Sequence, residues 1–225
     1  MFQQHKSVKF KTAVLLFVCT LLFLQPKASP QQESGLRDFV FPCQAHTFFA
    51  QDAGKPVAVT RSPDKQKQVV MEDLTVFRVV AHGRRIKTVR YDEIRGAVYA
   101  GWSPDSTQFF IMYSDGDWHV HIFAVDDDRV QELPAPQIAF EDFEKKHSCK
   151  TRDNGILFLS WTPDSQKVFL VTEVHPTSDC GAEAARFQGY LMEARTGKIL
   201  QRFNEKVTTE IEKKCSAAKM LNLPD

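Results

Sequence analysis

The stretch GAVYAGWSPDSTQFFIMYSDGDWHVHIFAVDDDRVQELP, residues 96–134, decides how this chain is read. Gly96 to Trp102 is apolar and strand-like. Ser103-Pro104-Asp105-Ser106 is a turn, because proline presets φ at the second turn position and the Asp and Ser side chains bond nearby backbone amides. Gln108 to Tyr113 is rich in aromatic and branched residues, which fit a pleated surface. Asp115-Gly116-Asp117 turns the chain again. Trp118 to Val125 alternates as a half-buried strand does. Asp126-Asp127-Asp128 is a third turn, and Arg129 to Leu133 a fourth, more polar strand. Short strands joined by tight turns pair with their neighbours, so the stretch is expected to be a four-stranded antiparallel meander.

The same order recurs on both sides. Upstream, Pro56 to Thr60 runs into Arg61-Ser62-Pro63-Asp64, then Gln68 to Glu72, Val76 to Ala81, a turn at His82-Gly83-Arg84, and Arg85 to Tyr91. Downstream, Ile156 to Trp161 runs into Thr162-Pro163-Asp164-Ser165 and Lys167 to Val174. An insertion over 175–187 follows, then Gly189 to Ala194, a turn at Thr196-Gly197, and Lys198 to Phe203. The three motifs begin at 61, 102 and 161, so they lie 41 and then 59 residues apart, the excess falling in an irregular stretch at 134–155. Four strands in a period of about 40–45 residues is the pattern of a propeller blade. Beyond the last strand, Val207, Ile211, Cys215 and Ala218 recur at helical spacing, which predicts one amphipathic helix over 204–221.

On these residues, Trp-Ser-Pro-Asp 102–105 above all, the chain resembles the TolB-like, WD-repeat-like β-propeller family. Its repeats run from an inner strand into that motif, an apolar strand, an Asp-Gly turn, a strand ending in Asp, and a last strand closing near Leu-Pro. The middle repeat matches best. In the first, Arg61 stands in place of the Trp and Lys65 in place of the usual small residue. The resemblance implies an all-β fold of three or four short four-stranded blades, and a role as a non-catalytic protein-interaction module of the bacterial envelope. Three repeats are too few to close a ring, since propellers have about 4–8 blades. Residues 39–50, with Phe39-Val40-Phe41 and Phe48-Phe49, are expected to supply a degenerate fourth blade or to pair with 198–203. Otherwise the array is open and must hide its edges.

The N-terminus reads as a leader. Lys6, Lys9 and Lys11 precede an apolar run from Ala13 to Leu24, which is shorter than the roughly 20 residues of a membrane span. Residues 1–28 are expected to be a signal peptide cleaved after Ala28, although Pro26 is a poor residue at −3; the alternative is an uncleaved anchor, the only membrane attachment expected. Residues 29–38 read as a polar linker, and 39–225 as a single domain. The protein is thus expected to be periplasmic or secreted. Cysteine usage agrees: removing Cys19 with the leader leaves Cys43, Cys149, Cys180 and Cys215, which allow three pairings. Cys149 and Cys180 flank the third motif and Cys43 and Cys215 lie near the ends, so Cys149–Cys180 and Cys43–Cys215 are the expected bridges.

Net charge is +1, with 29 basic and 28 acidic residues, which provides no field for nucleic acid or an anionic membrane. No nucleophile elbow, zincin helix or phosphate-binding glycine loop is present. No catalytic residue and no cofactor is expected. Asp64, Asp105 and Asp164 are read as turn residues, together with Ser62, Pro63, Ser103, Pro104, Thr162 and Pro163, and Trp102 and Trp161 as packing residues. His119 and His121 share one strand face, near Asp115 and Asp117, and are the candidates for a metal or small-molecule site; the plainer reading is an exposed strand face, with Trp118, Val120 and Ile122 turned into the core. Arg84, Arg85, Lys87 and Arg90 form a basic cluster read as a solvated edge strand or a dock for an acidic partner, with Arg85, Lys87 and Val89 on one face. An exported inhibitor or immunity protein, or a secreted hydrolase using the insertions at 134–155 or 175–187, are the remaining alternatives.

Overall fold

The computed structural model describes residues 46–48, 58–92, 94–95, 97–147, 149 and 154–221; at 46–48, 58 and 215–221 the description covers the backbone alone. The strands are β1 (His46–Phe48), β2 (Ala58–Arg61), β3 (Lys67–Asp73), β4 (Val76–Ala81), β5 (Arg84–Arg90), β6 (Val98–Trp102), β7 (Gln108–Ser114), β8 (Trp118–Val125), β9 (Val130–Glu132), β10 (Asn154–Trp161), β11 (Lys167–Val174), β12 (Phe187–Glu193) and β13 (Ile199–Phe203). Two helices, α1 (Ala135–Lys146) and α2 (Glu205–Leu221), interrupt and close the series.

The strands form three antiparallel sheets ordered β2-β3-β4-β5, β1-β6-β7-β8-β9 and β10-β11-β12-β13. Each repeat is therefore one meander, as the turn spacing implies, and the C-terminal helix lies where the apolar spacing puts it. The sheets stack through their faces. Val69, Met71, Phe77 and Val79 of the first pack with Trp102, Phe109, Ile111 and Phe123 of the second. On the other side of the second sheet, Phe110, Met112, Val120 and Ile122 pack with Ile156, Phe158, Trp161, Leu170 and Tyr190 of the third. Every residue of β7 from Gln108 to Tyr113 is buried, because alternate side chains enter alternate interfaces.

Two expectations are corrected here. Residues 46–48 neither build a fourth blade nor pair with β13; β1 adds to the second sheet beside β6, with His46 opposite Ala100 and Phe48 opposite Val98, while β13 pairs with β12 at the edge of the third sheet. Phe39-Val40-Phe41 and Phe49 lie outside the described residues. The stretch at 134–155 is not irregular throughout, since it holds the three-turn helix α1. Ala135, Ala139 and Phe143 recur every fourth residue and are the buried stripe of that helix, which packs into the second interface. Pro134 and Pro136 suit a first turn that has no amide to give, and Lys145 and Lys146 meet the carbonyl end.

The far face of the third sheet is covered by α2. Phe169 meets Phe203 with ring centroids 5.3 Å apart, and Thr208 and Ile211 of α2 are buried. Gly189 makes the contact possible: a Cβ there would stand 2.7 Å from Thr208 Oγ1 and 2.8 Å from Phe169 Cζ. The helix thus takes the place that a fourth blade would occupy. No described helix is long and apolar enough to cross a membrane.

Candidate functional site

The three corner motifs share one construction. In the second, Ser103 Oγ donates to Asp105 Oδ1 at 2.6 Å and accepts from the Gln108 amide at 2.9 Å, and Asp105 Oδ1 also accepts from the Thr107 amide at 3.0 Å. Ser62 with Asp64, and Thr162 with Asp164, repeat this pattern at 2.5 Å each. Burial pushes the Asp105 carboxyl up, but the bonds from Ser103 and Thr107 outweigh it and hold it below the usual range. Asp64 is also held down, its Ser62 and Gln66 bonds overcoming burial, and Asp164 is held down first by Thr162. These are turn residues, as the sequence implies.

The corners also join one blade to the next, which the sequence did not reveal. The Asp64 amide donates to Ser106 Oγ at 3.0 Å and the Asp105 amide to Ser165 Oγ at 3.1 Å. Gln108 Nε2 adds a bond to Ser165 O at 3.0 Å, and Trp102 Nε1 donates to Thr60 O at 3.2 Å. Trp161 is packed likewise, but its Nε1 is buried without a partner. The signal was present in the Ser that follows each of the second and third Pro-Asp pairs; only its partner, some forty to sixty residues away, could not be read.

His119 and His121 do lie on one face of β8, yet they do not converge. His119 Nε2 meets Asp115 Oδ1 at 2.8 Å and His121 Nδ1 meets Glu132 Oε1 at 2.6 Å. Asp117 bonds into the turn through its amide, 3.3 Å from Asp115 Oδ1. No group of three or more metal-ligating side chains is found among the described residues. Nor is this face simply exposed: His121 lies 4.7 Å from the Tyr91 ring, His119 5.1 Å from Tyr113, and Tyr91 4.8 Å from Tyr113. Tyr91, at the end of the first blade, covers part of it, while the His119 and His121 side chains stay 38% and 27% exposed. Burial, reinforced by Asp115, Glu132 and Asp92, pushes the Tyr113 hydroxyl up to about 12. His121 holds the Glu132 carboxyl below its ordinary range.

The basic cluster is divided by a bulge. β4 and β5 slip register between Val79 and Val80, so Arg85 pairs with Val80 and Lys87 with Val79. Arg85 and Lys87 therefore point to opposite faces, correcting the expectation that they share one. β5 is an edge strand, as expected.

The two insertions meet. Cys149 and Cys180 form a disulfide across a separation of 31 residues; Cys43 and the Cys215 side chain lie outside the described residues. His147 Nδ1 meets Glu183 Oε2 at 2.7 Å. Asp142 of α1 accepts from Arg202 through both oxygens, at 2.9 and 2.7 Å, and from Tyr190 at 3.1 Å, so Arg202 and Lys146 hold its carboxyl well below the usual range. Beside this network lies an open groove of about 570 Å³ lined by Lys146, His147, Arg186, Phe187, Phe203 and Lys206 among others. Its Arg186 pairs with Glu205 at 3.2 Å and its Lys146 with Asp142 at 2.9 Å. These charges are spent on structure.

No family model matches this chain, and no curated protein matches it. Among solved structures, the chain is similar to the β-propeller domain of Cps50 (Swd1) from Myceliophteria thermophila. The match has 14% identity and a TM-score of 0.39, covering 65% of this chain and 43% of that one. This chain therefore spans less than half of that domain's length.

Proposed function

We propose that this protein is a non-catalytic, exported interaction module of the bacterial envelope, built from TolB-like repeats. One observation carries the reading: the polar side chains that recur are consumed in joining each blade to the next. Asp64 with Ser106 and Asp105 with Ser165 lock the corners, and His119 and His121 are each held by a separate carboxylate. Such an array offers rigid, broad surfaces rather than a convergent set of reactive groups. Export is supported by the leader-like residues 1–28 and by the Cys149–Cys180 bridge, since disulfides persist in oxidising compartments.

Two measurements test this. Residues 1–40 fused to alkaline phosphatase should yield active enzyme outside the cytoplasm; an inactive fusion rejects export. Photo-crosslinking residues placed singly at the exposed apolar positions Val59, Leu74 and Leu200 should yield an adduct with an envelope protein from at least one position. No protein adduct from any of them rejects the interaction reading.

A further inference from the structure

The two internal blade junctions use the same parts. Toward the blade before it, the second blade presents Trp102, bonded to Thr60 O, and Ser106, which accepts the Asp64 amide. The third presents Trp161 and Ser165, which accepts the Asp105 amide. In the first blade the corresponding positions are Arg61 and Lys65. The backbone is the same, with φ of 62° at Lys65, 63° at Ser106 and 58° at Ser165. Where the other blades meet a preceding sheet, the first extends two long cations.

The register carries the pattern across the face. Val59 pairs with Val70 and Arg61 with Gln68. Val70 pairs with Arg78 and Gln68 with Val80, while Val80 pairs with Arg85 and Val76 with Arg90. Directly paired residues share a face, and Val69 and Met71 take the opposite one, in the first interface. The outer face thus carries Arg61, Arg78, Arg85 and Arg90 around four valines. Among the described residues its acids are Glu72, 3.1 Å from Arg78, and Asp73, which pairs with Val76 beside Arg90. Val70 and Val76 are buried, and Val59 is 46% exposed. Whereas α2 covers the far face of the third sheet, no described helix or sheet makes an extended contact with this one.

We propose that this face docks an acidic protein surface, seated where a closed ring would have a preceding blade. The proposal rests on the interaction-module reading above. Four guanidinium groups against two carboxylates favour a partner rich in Asp and Glu, since the planar fork matches carboxylates in two-bond pairs. The same charge disfavours a second copy, because a two-fold contact would oppose arginines to arginines. A protein rather than an anionic membrane fits the positions of Arg61 and Lys65, whose counterparts reach the backbone of a neighbouring sheet.

The test places a photo-crosslinking residue at Val59 of the full-length protein, irradiated in its native cells, with and without the exposed-site reversal R61E/R85E/R90E. The expected result is an adduct with a second protein whose cross-linked peptide is net acidic. The reversal should reduce it at least tenfold while leaving any Leu200 adduct unchanged. If circular dichroism shows that the reversal does not fold, R61Q/R85Q/R90Q replaces it, with a severalfold loss expected. An intramolecular adduct with residues 1–57, a homodimer, a lipid adduct, a partner peptide without net negative charge, an adduct indifferent to the reversal, or no adduct from Val59 each overturns the proposal. Adducts from Leu74 or Leu200 with none from Val59 would reject this face and leave the interaction-module reading standing.

Discussion

At the scale of single residues, the corners show how one side chain serves both a turn and a junction. Ser165 is fully buried, adopts a left-handed φ of 58° and accepts the Asp105 amide. Replacing it with Ala keeps the φ demand and removes the acceptor, so Ser165→Ala should destabilise by about 1–2 kcal/mol. Ser165→Gly also loses the acceptor but relaxes φ, and should be about 1 kcal/mol less harmful; urea melts of the two variants measure the difference. Asp105 carries a pH signature. Its folded carboxyl titrates below the ordinary value, so its contribution is fully present above the unfolded pKa of about 3.9. That contribution is lost as pH falls through the lower folded value. Asp105→Asn should therefore flatten the stability–pH curve below about pH 5 relative to wild type; an unchanged acid limb would reject this account. The turn role of Asp64, Asp105 and Asp164 was legible because Ser/Thr-Pro-Asp is a local pattern. The Ser106 and Ser165 junction bonds were not, because their partners are distant in sequence.

At the scale of elements, strands and turns followed from local chemistry, while the helices were read unevenly. α2 stood out by its apolar spacing. α1 was missed, although Ala135, Ala139 and Phe143 carry the same four-residue period, because small alanines give a faint stripe beside two prolines. The bulge at Val79 and Val80 also escaped reading. A one-residue slip inverts which face a side chain takes, and no turn residue marks it. The docking of α2 depends on Gly189. Gly189→Ala would drive a methyl into Thr208 and Phe169, so it should destabilise by about 1–3 kcal/mol. It should also raise hydrogen exchange in α2 more than in β6–β8, which mass-resolved exchange would detect. Equal protection in both variants would show that α2 does not seat through this contact.

At the scale of the whole molecule, the three described blades are capped at the third by α2, which packs on its far face. The insertions are tied together by Cys149–Cys180 across 31 residues, a loop for which chain entropy gives about 3–4 kcal/mol of stabilisation. The double variant C149A/C180A should lose an amount of that order, read as a lower midpoint in denaturant. The alkaline limit also belongs to the whole fold. Burial raises the Tyr113 hydroxyl to about 12. A folded pKa above the unfolded value of about 10 supplies stability that is intact below pH 10 and lost as pH rises toward 12. Tyrosinate absorbance should therefore show a fraction of the tyrosines titrating only together with unfolding. If all titrate near pH 10 in the folded protein, the Tyr91–Tyr113 contact is not buried in solution.

By itself, the sequence determined the meanders, their turns and the C-terminal helix, because each depends on residues within a few positions of one another. Only the tertiary structure decided how the meanders stack. It set which serine receives which amide, where residues 46–48 pair, that Tyr91 of the first blade packs on His121, and that Arg61 and Lys65 occupy the positions a preceding blade would meet. Those outcomes depend on contacts between residues tens of positions apart, and local propensity contains no term for them.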